Sequence, residues 1–206
     1  MSEQGSESWL QERSGRLTAS RFKDVLAVGK RDGKPLKARI DYMHELAFER
    51  LSGHAKQSVS SQAMAWGTEA EPLARELYEI QTGAFVTEVG MIRHGEYDFI
   101  GGSPDGLVDD DGLIEIKSPF NEAVHIKTWL EGMPDEHMAQ VQGNIWISGR
   151  DWCDFLSYDP RQAEKLRLYH QRIYRDDAFI EDMKGKLLDF NAELEAMIGE
   201  IKSKAA

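Results

Sequence analysis

Apolar residues recur at two different periods along this chain, and the change of period divides it into helical and extended stretches. Trp9 to Leu26 reads as a short lead-in followed by a helix, with Thr18 or Ser20 as candidate N-caps and Phe22, Val25 and Leu26 as its apolar stripe. Residues 37 to 51 place Ile40, Met43, Leu46, Ala47 and Arg50 at helical spacing, with Gly53 as a stop. A polar connection, residues 52 to 62, leads to a predicted helix over Ala70 to Gln81. There Leu73, Ala74, Leu77, Tyr78 and Gln81 fall on neighbouring turns, Pro72 sits in the first turn and Gly83 lies just beyond the end.

The period then shortens. VTEVGMI (86 to 92), FIGG (99 to 102), GLVD (106 to 109) and LIEIK (113 to 117) are short, β-branched and separated by Gly or Asp, which predicts a meander with a tight turn at DDDG. Helices are predicted over 121 to 130 and 137 to 147, and strands over 152 to 158 and 166 to 174. From about 176 to 204, Phe179, Met183, Leu187, Phe190, Leu194, Met197 and Ile201 recur every three or four positions, which predicts one long amphipathic helix. Helix, meander, helix, strands and helix together indicate an α/β or α+β fold, a central mixed β-sheet flanked by helices, in a single domain spanning 1 to 206. Trp129, Trp146 and Trp152 are assigned to the core.

Composition narrows the setting. One cysteine, Cys153, excludes a disulfide framework and a cysteine-only metal cluster built by one chain, and indicates a reducing, intracellular environment. No apolar run is long enough to span a bilayer and MSEQGSESW lacks the features of a signal peptide, so a soluble cytoplasmic protein with no membrane partner is expected. The formal net charge of -11 argues against nucleic acid as a partner, but the charge is unevenly placed. Residues 11 to 40 carry nine basic side chains against three acidic ones, a local +6, leaving -17 for the rest. Within that basic stretch GKRDGKP (29 to 35) forms a loop whose Lys30 and Arg31 are candidates for DNA-backbone contact. The acidic centre, 94 to 115, holds seven acids and no Lys or Arg.

That acidic centre contains the candidate chemistry. Side chains alternate along a strand, so Glu115 and Lys117 share one face while Ile114 and Ile116 take the other. Asp105, in the Pro-Asp-Gly turn that opens the preceding arm, can point to the same face. Two carboxylates beside an ammonium make a site for a hard cation, with oxygen ligands suited to Mg²⁺ or Mn²⁺. Phosphodiester hydrolysis uses such a set, with metal ions stabilising developing charge and an oriented water attacking in line. An EF-hand is excluded, because the alternating Asp pattern is missing and the Glu lies at the wrong distance.

Pro104-Asp105 followed ten positions later by Glu115-Ile116-Lys117 resembles the PD-(D/E)xK nuclease pattern. The resemblance narrows to the phage lambda exonuclease-like (YqaJ-type) viral recombinases through four blocks in that family's order. These are Trp9 through Arg13 to Leu17-Thr18-Ala19-Ser20, then Ala65-Trp66-Gly67-Thr68-Glu69-Ala70-Glu71, then Ser103-Pro104-Asp105-Gly106 with Glu115 and Lys117, and last Met138-Ala139-Gln140-Val141-Gln142 before Trp146. The resemblance implies a restriction-endonuclease-like core and a Mg²⁺-dependent enzyme, with two ions per site, that digests one strand of linear duplex DNA from 5′ to 3′. It would act processively and leave a 3′ overhang for a phage single-strand annealing protein. A ring-shaped homotrimer, encoded by a phage or prophage and working in the bacterial cytoplasm, is also implied.

Carried over by position, Asp105 and Glu115 would be metal ligands with the Ile116 carbonyl assisting, Glu71 would be a further carboxylate there, and Lys117 would orient the attacking water. Gln140 matches the family's active-site glutamine. Arg13 and Ser20 match residues that hold a 5′ phosphate, Ser103 lies where another phosphate contact belongs, and Met64 falls at the position of an apolar wedge that parts the terminal base pair. The family's Asp upstream of the Pro-Asp turn has no aligned partner, with Glu96 and Asp98 as substitutes. Its Arg after Pro119-Phe120 is also missing, with Lys127 and His125 as substitutes. Two alternatives remain on the residues alone: a structure- or site-specific endonuclease on the same core, and a non-catalytic subunit that binds DNA ends.

Overall fold

A computed structural model describes residues 4–56 and 61–205. Residues 1–3, part of the polar connection before Gln62 and residue 206 lie outside that range. In chain order the elements are α1 (Glu7–Arg13), β1 (Leu17–Thr18), a 3₁₀ turn (Ala19–Arg21), α2 (Phe22–Val25), α3 (Lys37–Ser52) and α4 (Gln62–Thr82). Next come β2 (Val86–Thr87), β3 (Ile92–Arg93), β4 (Ile100–Gly102), β5 (Gly106–Val108) and β6 (Gly112–Lys117), then α5 (Glu122–Glu131), α6 (Met138–Ser148), β7 (Trp152–Tyr158), β8 (Leu168–Tyr174) and α7 (Asp177–Ala205).

Three of the expected elements need correction. The lead-in itself holds a helix, α1, capped by the Ser6 hydroxyl accepting from the Trp9 amide; the chain straightens at Leu17–Thr18, and the expected helix is the short α2, which buries Phe22 and Val25 but is capped by neither the Thr18 nor the Ser20 side chain. Helix α4 begins at Gln62 with Ser61 as its side-chain cap, so Pro72 lies inside it instead of in its first turn. The meander is split between two sheets: β1-β4-β3 form a small one, and β2-β5-β6-β7-β8 form the main one. The main sheet is mixed, with β6 and β7 parallel and the other pairs antiparallel. The DDDG turn is tight, pairing Val108 with Gly112 and placing Asp109 at φ 45°, a conformation that Asp tolerates better than most residues.

Alternation along β6 organises the interior. Leu113 packs with Cys153, Phe155, Val141 and Ile145 in a core shared with α3 and α7, while Ile114 and Ile116 pack with Ala70, Ala74 and Tyr78 of α4. Both faces of β6 are therefore covered, and Glu115 on the α6 side is only 1% exposed. Helix α7 buries Ile180, Met183, Leu187, Phe190, Leu194 and Ile198, each contributing on the order of 1.5–3 kcal/mol of transfer free energy. Arg39 of α3 clasps Glu193 of α7 with two bonds of 2.9 Å. Trp152 is core, whereas Trp129 is 39% exposed and meets Tyr169 edge-on. Among the described residues no helix is long and apolar enough to cross a membrane.

Candidate active site

Where β6 ends, the sheet delivers Glu115 and Lys117 to α6, as strand alternation requires. The Lys117 ammonium donates to Oε1 of Glu115 at 2.5 Å and to the Gln140 carbonyl at 3.2 Å. Gln140 in turn donates to Oε1 of Glu115 at 2.5 Å, and Asn144, one turn further along α6, donates to Oε2 at 3.1 Å. Close approach of α6 depends on Gly102, because a Cβ there would lie 2.4 Å from the side-chain Oδ1 of Asn144. Asp105 accepts from the Ile116 amide at 2.6 Å, which fixes the Pro-Asp-Gly turn beside β6 and puts the Ile116 backbone next to that carboxylate.

Glu71 approaches from α4, on the other side of the sheet. Arg75, one turn later and almost fully buried, binds Glu71 at 2.8 Å and the Asp105 carbonyl at 3.2 Å, and pairs with Glu88 at 2.9 Å. Met64, Glu71, Arg75, Glu88, Asp105 and Trp9 line one cleft of about 560 Å³. Met64 is 53% exposed at its rim, so it is a surface residue and not part of the core.

The electrostatics of this end of the sheet are those of crowded acids. Burial pushes the Glu71 carboxyl up to about 7, with repulsion from Asp105 adding to the effect and Arg75 opposing it. Glu115 is also pushed up to about 7, first by burial, against the pull of Lys117 and with Asp105 adding. Asp105 is raised because burial outweighs Lys117 and the Ile116 amide. Burial alone would lower Lys117, but Glu115 and Asp105 raise it above the usual lysine range. Among the described residues, no three His, Cys, Asp or Glu side chains are grouped tightly enough to hold a metal by themselves. The acids reach instead toward Lys117, Gln140, Asn144 and Arg75. The donor set is nonetheless all oxygen, and the mutual repulsion of its acids is what a bound divalent cation relieves, so the residues fit a hard cation.

A second cluster forms around Arg13. Its guanidinium donates to Ser103 at 3.2 Å, Thr18 at 3.3 Å and Ser20 at 3.1 Å, and lies 4.3 Å over the Trp9 ring, whose Nε1 donates to Ser103 at 3.1 Å. Arg13 and Ser20 also line a cavity of about 240 Å³ with Arg21 and Lys56. The three residues singled out for phosphate are thus brought together, and Thr18 and Trp9 join them. Lys30 and Arg31 lie on an exposed loop closed by a bridge between Val28 and Pro35.

Several substitutes fail. Glu96 and Asp98 lie on the β3–β4 turn, Asp98 pairing with Arg16 at 3.5 Å and Arg93 at 3.7 Å, and neither lines the cleft. Glu88 is the additional acid found there. His125 is fully buried, with its ring nitrogens engaged by the Ser157 hydroxyl and the Leu166 carbonyl, so it offers nothing to a phosphate. Lys127 pairs with Glu131 on the outer face of α5. Asn144 and Arg75 were missed by sequence reasoning; the only hint of either was its place one helical turn after Gln140 or Glu71.

The family profile of YqaJ-like viral recombinase domains matches residues 8–151. The chain belongs to that family. A solved alkaline exonuclease from Laribacter hongkongensis, LHK-Exo, is 45% identical over 97% of this chain and 98% of that one, with a TM-score of 0.89, and it has also been solved in complex with dAMP. A phage-related exonuclease from Haemophilus somnus 129PT shares the fold at a TM-score of 0.68 and 18% identity, covering 90% of this chain and 96% of that one. An uncharacterized protein of Acanthamoeba polyphaga mimivirus is 28% identical over 167 residues, 75% of this chain, and the matched region is 29% of that protein's length. The fold is the PD-(D/E)xK nuclease fold, and the family together with the likeness to the alkaline exonuclease over nearly the whole chain makes this a DNA exonuclease.

Proposed function

We propose that this chain is a metal-dependent exonuclease, a single nuclease domain that degrades one strand of linear duplex DNA from its 5′ end. The reading is carried by the convergence of Asp105, Glu115, Lys117 and Gln140 at one strand end in a chain 45% identical to an alkaline exonuclease. Nucleases of this kind depend on metal, and the oxygen donors favour Mg²⁺ or Mn²⁺, with two ions per site. Asp105, Glu115 and Glu71, with the Ile116 carbonyl, would hold the metal, which supplies charge stabilisation at the scissile phosphate. Lys117, held between Glu115 and Gln140, orients the attacking water, and Gln140 keeps Glu115 turned toward the site.

The Arg13 cluster supports that polarity. A guanidinium flanked by the hydroxyls of Ser103, Thr18 and Ser20 suits a terminal 5′ phosphate, since Arg presents parallel donors and hydroxyls complete the anion's shell. Met64 at the cleft rim acts as the wedge at the duplex end, and Lys30 and Arg31 contact the DNA backbone. The complex of LHK-Exo with dAMP is consistent with release of mononucleotides. Processive digestion by a homotrimer, a 3′ overhang handed to a phage annealing protein, and work in the host cytoplasm complete the reading.

Linear duplex DNA incubated with the protein and Mg²⁺ should yield mononucleotides, and Asp105→Ala and Lys117→Ala should abolish release. Undiminished release in either variant would sink the assignment, and cleavage of covalently closed circles would favour an endonuclease instead.

A further inference from the structure

The cationic group beside Phe120 comes from a distant segment. Arg161, in the turn after β7, donates from Nε and Nη2 to both oxygens of Asp159 at 2.8 and 3.0 Å. Asp159 is fully buried, so the guanidinium is anchored at one edge. Its other edge donates to the Phe120 carbonyl at 3.2 Å and reaches the Pro119 carbonyl at 3.5 Å, two of the three residues that follow Lys117. Its face lies 4.8 Å over the ring of Trp66, and Trp66 meets Phe120 edge-on at 6.1 Å. Trp66 stands on α4 two residues after Met64 and five before Glu71.

One side chain therefore joins three pieces of chain: the buried end of β7, the segment that leaves the catalytic strand, and the first turns of the helix carrying Met64 and Glu71. We propose that Arg161 is a positioning residue for the exonuclease reaction, fixing the Pro119-Phe120 segment against α4 and so setting the placement of Lys117 relative to Glu71 and Met64. The assignment rests on the exonuclease reading. It needs arginine and not just a positive charge, because two edges and a flat face are all in use, and a lysine can reproduce only the pairing with Asp159.

The test compares Arg161→Ala, Arg161→Lys, Trp66→Leu and the double variant Arg161→Ala/Trp66→Leu with the unaltered protein. Turnover of linear duplex is measured in Mg²⁺, and binding of a 5′-phosphorylated duplex end is measured without turnover in Ca²⁺, both at a temperature where thermal melts show each variant folded. Displacing groups around the chemistry by about 1 Å is enough to lower kcat by about tenfold to a hundredfold. A loss of that size is expected in Arg161→Ala and nearly as large a loss in Arg161→Lys, with the double variant no worse than Arg161→Ala, because both changes cut the same tie. Millimolar methylguanidinium should restore part of the turnover of Arg161→Ala. Full activity in Arg161→Lys, or losses that simply add, would overturn the proposal. Because Met64 shifts with α4, Arg161→Ala should also bind the end more weakly; if the unaltered protein does not cleave, the exonuclease reading fails, and unchanged end binding in Arg161→Ala then overturns this proposal separately.

Discussion

Asn144 donates its side-chain amide to Oε2 of Glu115 at 3.1 Å, leaving Oε1 to Lys117 and Gln140. Both oxygens of the central acid are thus oriented by α6, from two positions one turn apart. Replacing Asn144 with Ala frees one oxygen without touching the others. The expected outcome is a fall of about ten- to a hundredfold in activity or in the affinity for activating Mg²⁺, the usual scale for groups that orient a ligand. Steady-state assays across a Mg²⁺ titration check this; an unchanged midpoint and unchanged kcat would show that Asn144 does not orient Glu115.

Arg13 and Ser103 are ninety positions apart in sequence and 3.2 Å apart in space. If their cluster holds a terminal phosphate, a 5′-phosphorylated duplex should be degraded faster than a 5′-hydroxyl duplex, and Arg13→Ala should erase that preference. Thr18→Ala should weaken it less, since Thr18 supplies one neutral hydroxyl against a charge. Equal rates on the two ends in the unaltered protein would contradict the pocket.

Asp154 on β7 is fully buried and receives Tyr78 at 2.7 Å, Arg172 at 2.8 and 2.9 Å, and His170 at 3.0 Å. Burial alone would raise its carboxyl, but Arg172, His170 and Tyr78 together hold it well below the usual carboxylate range. A depressed value means that the ionised form stabilises the fold above the unfolded-state value, near 4, and that this stabilisation is lost as pH falls below it. Thermal melts between neutral pH and pH 3 should therefore show a steeper acid loss in the native chain than in Asp154→Asn. At neutral pH Asp154→Asn should cost about 3 kcal/mol, the lower end for breaking a buried pair, because Arg172 is partly exposed. Parallel acid profiles for the two proteins would refute the assignment.

Cys153 lies in the core beside Leu113, and burial pushes its thiol well above the ordinary range, with Glu115 adding. A thiol reagent should leave it unmodified in the folded protein and react fully only after denaturation. Rapid labelling of native protein would mean that this part of the sheet opens.

Local periodicity determined much of this protein. β7 falls on the predicted residues, α7 spans 177 to 205 where its apolar repeat runs, and Glu115 and Lys117 share a face because side chains alternate along any strand. The order of motif blocks named the family from residue identities alone. Tertiary structure decided the rest. It moved the start of α4 back to Gln62, since a capping serine and packing under the sheet outweigh the proline inside it. It divided the short strands between two sheets, because segments of two or three residues carry too little pattern to select a partner. It also chose Asn144, Arg75, Glu88, Thr18 and Arg161 as the neighbours of the site. Spacing tells which way a side chain points, but which distant segment meets it depends on how helices and sheets pack, and that information is spread over the whole chain.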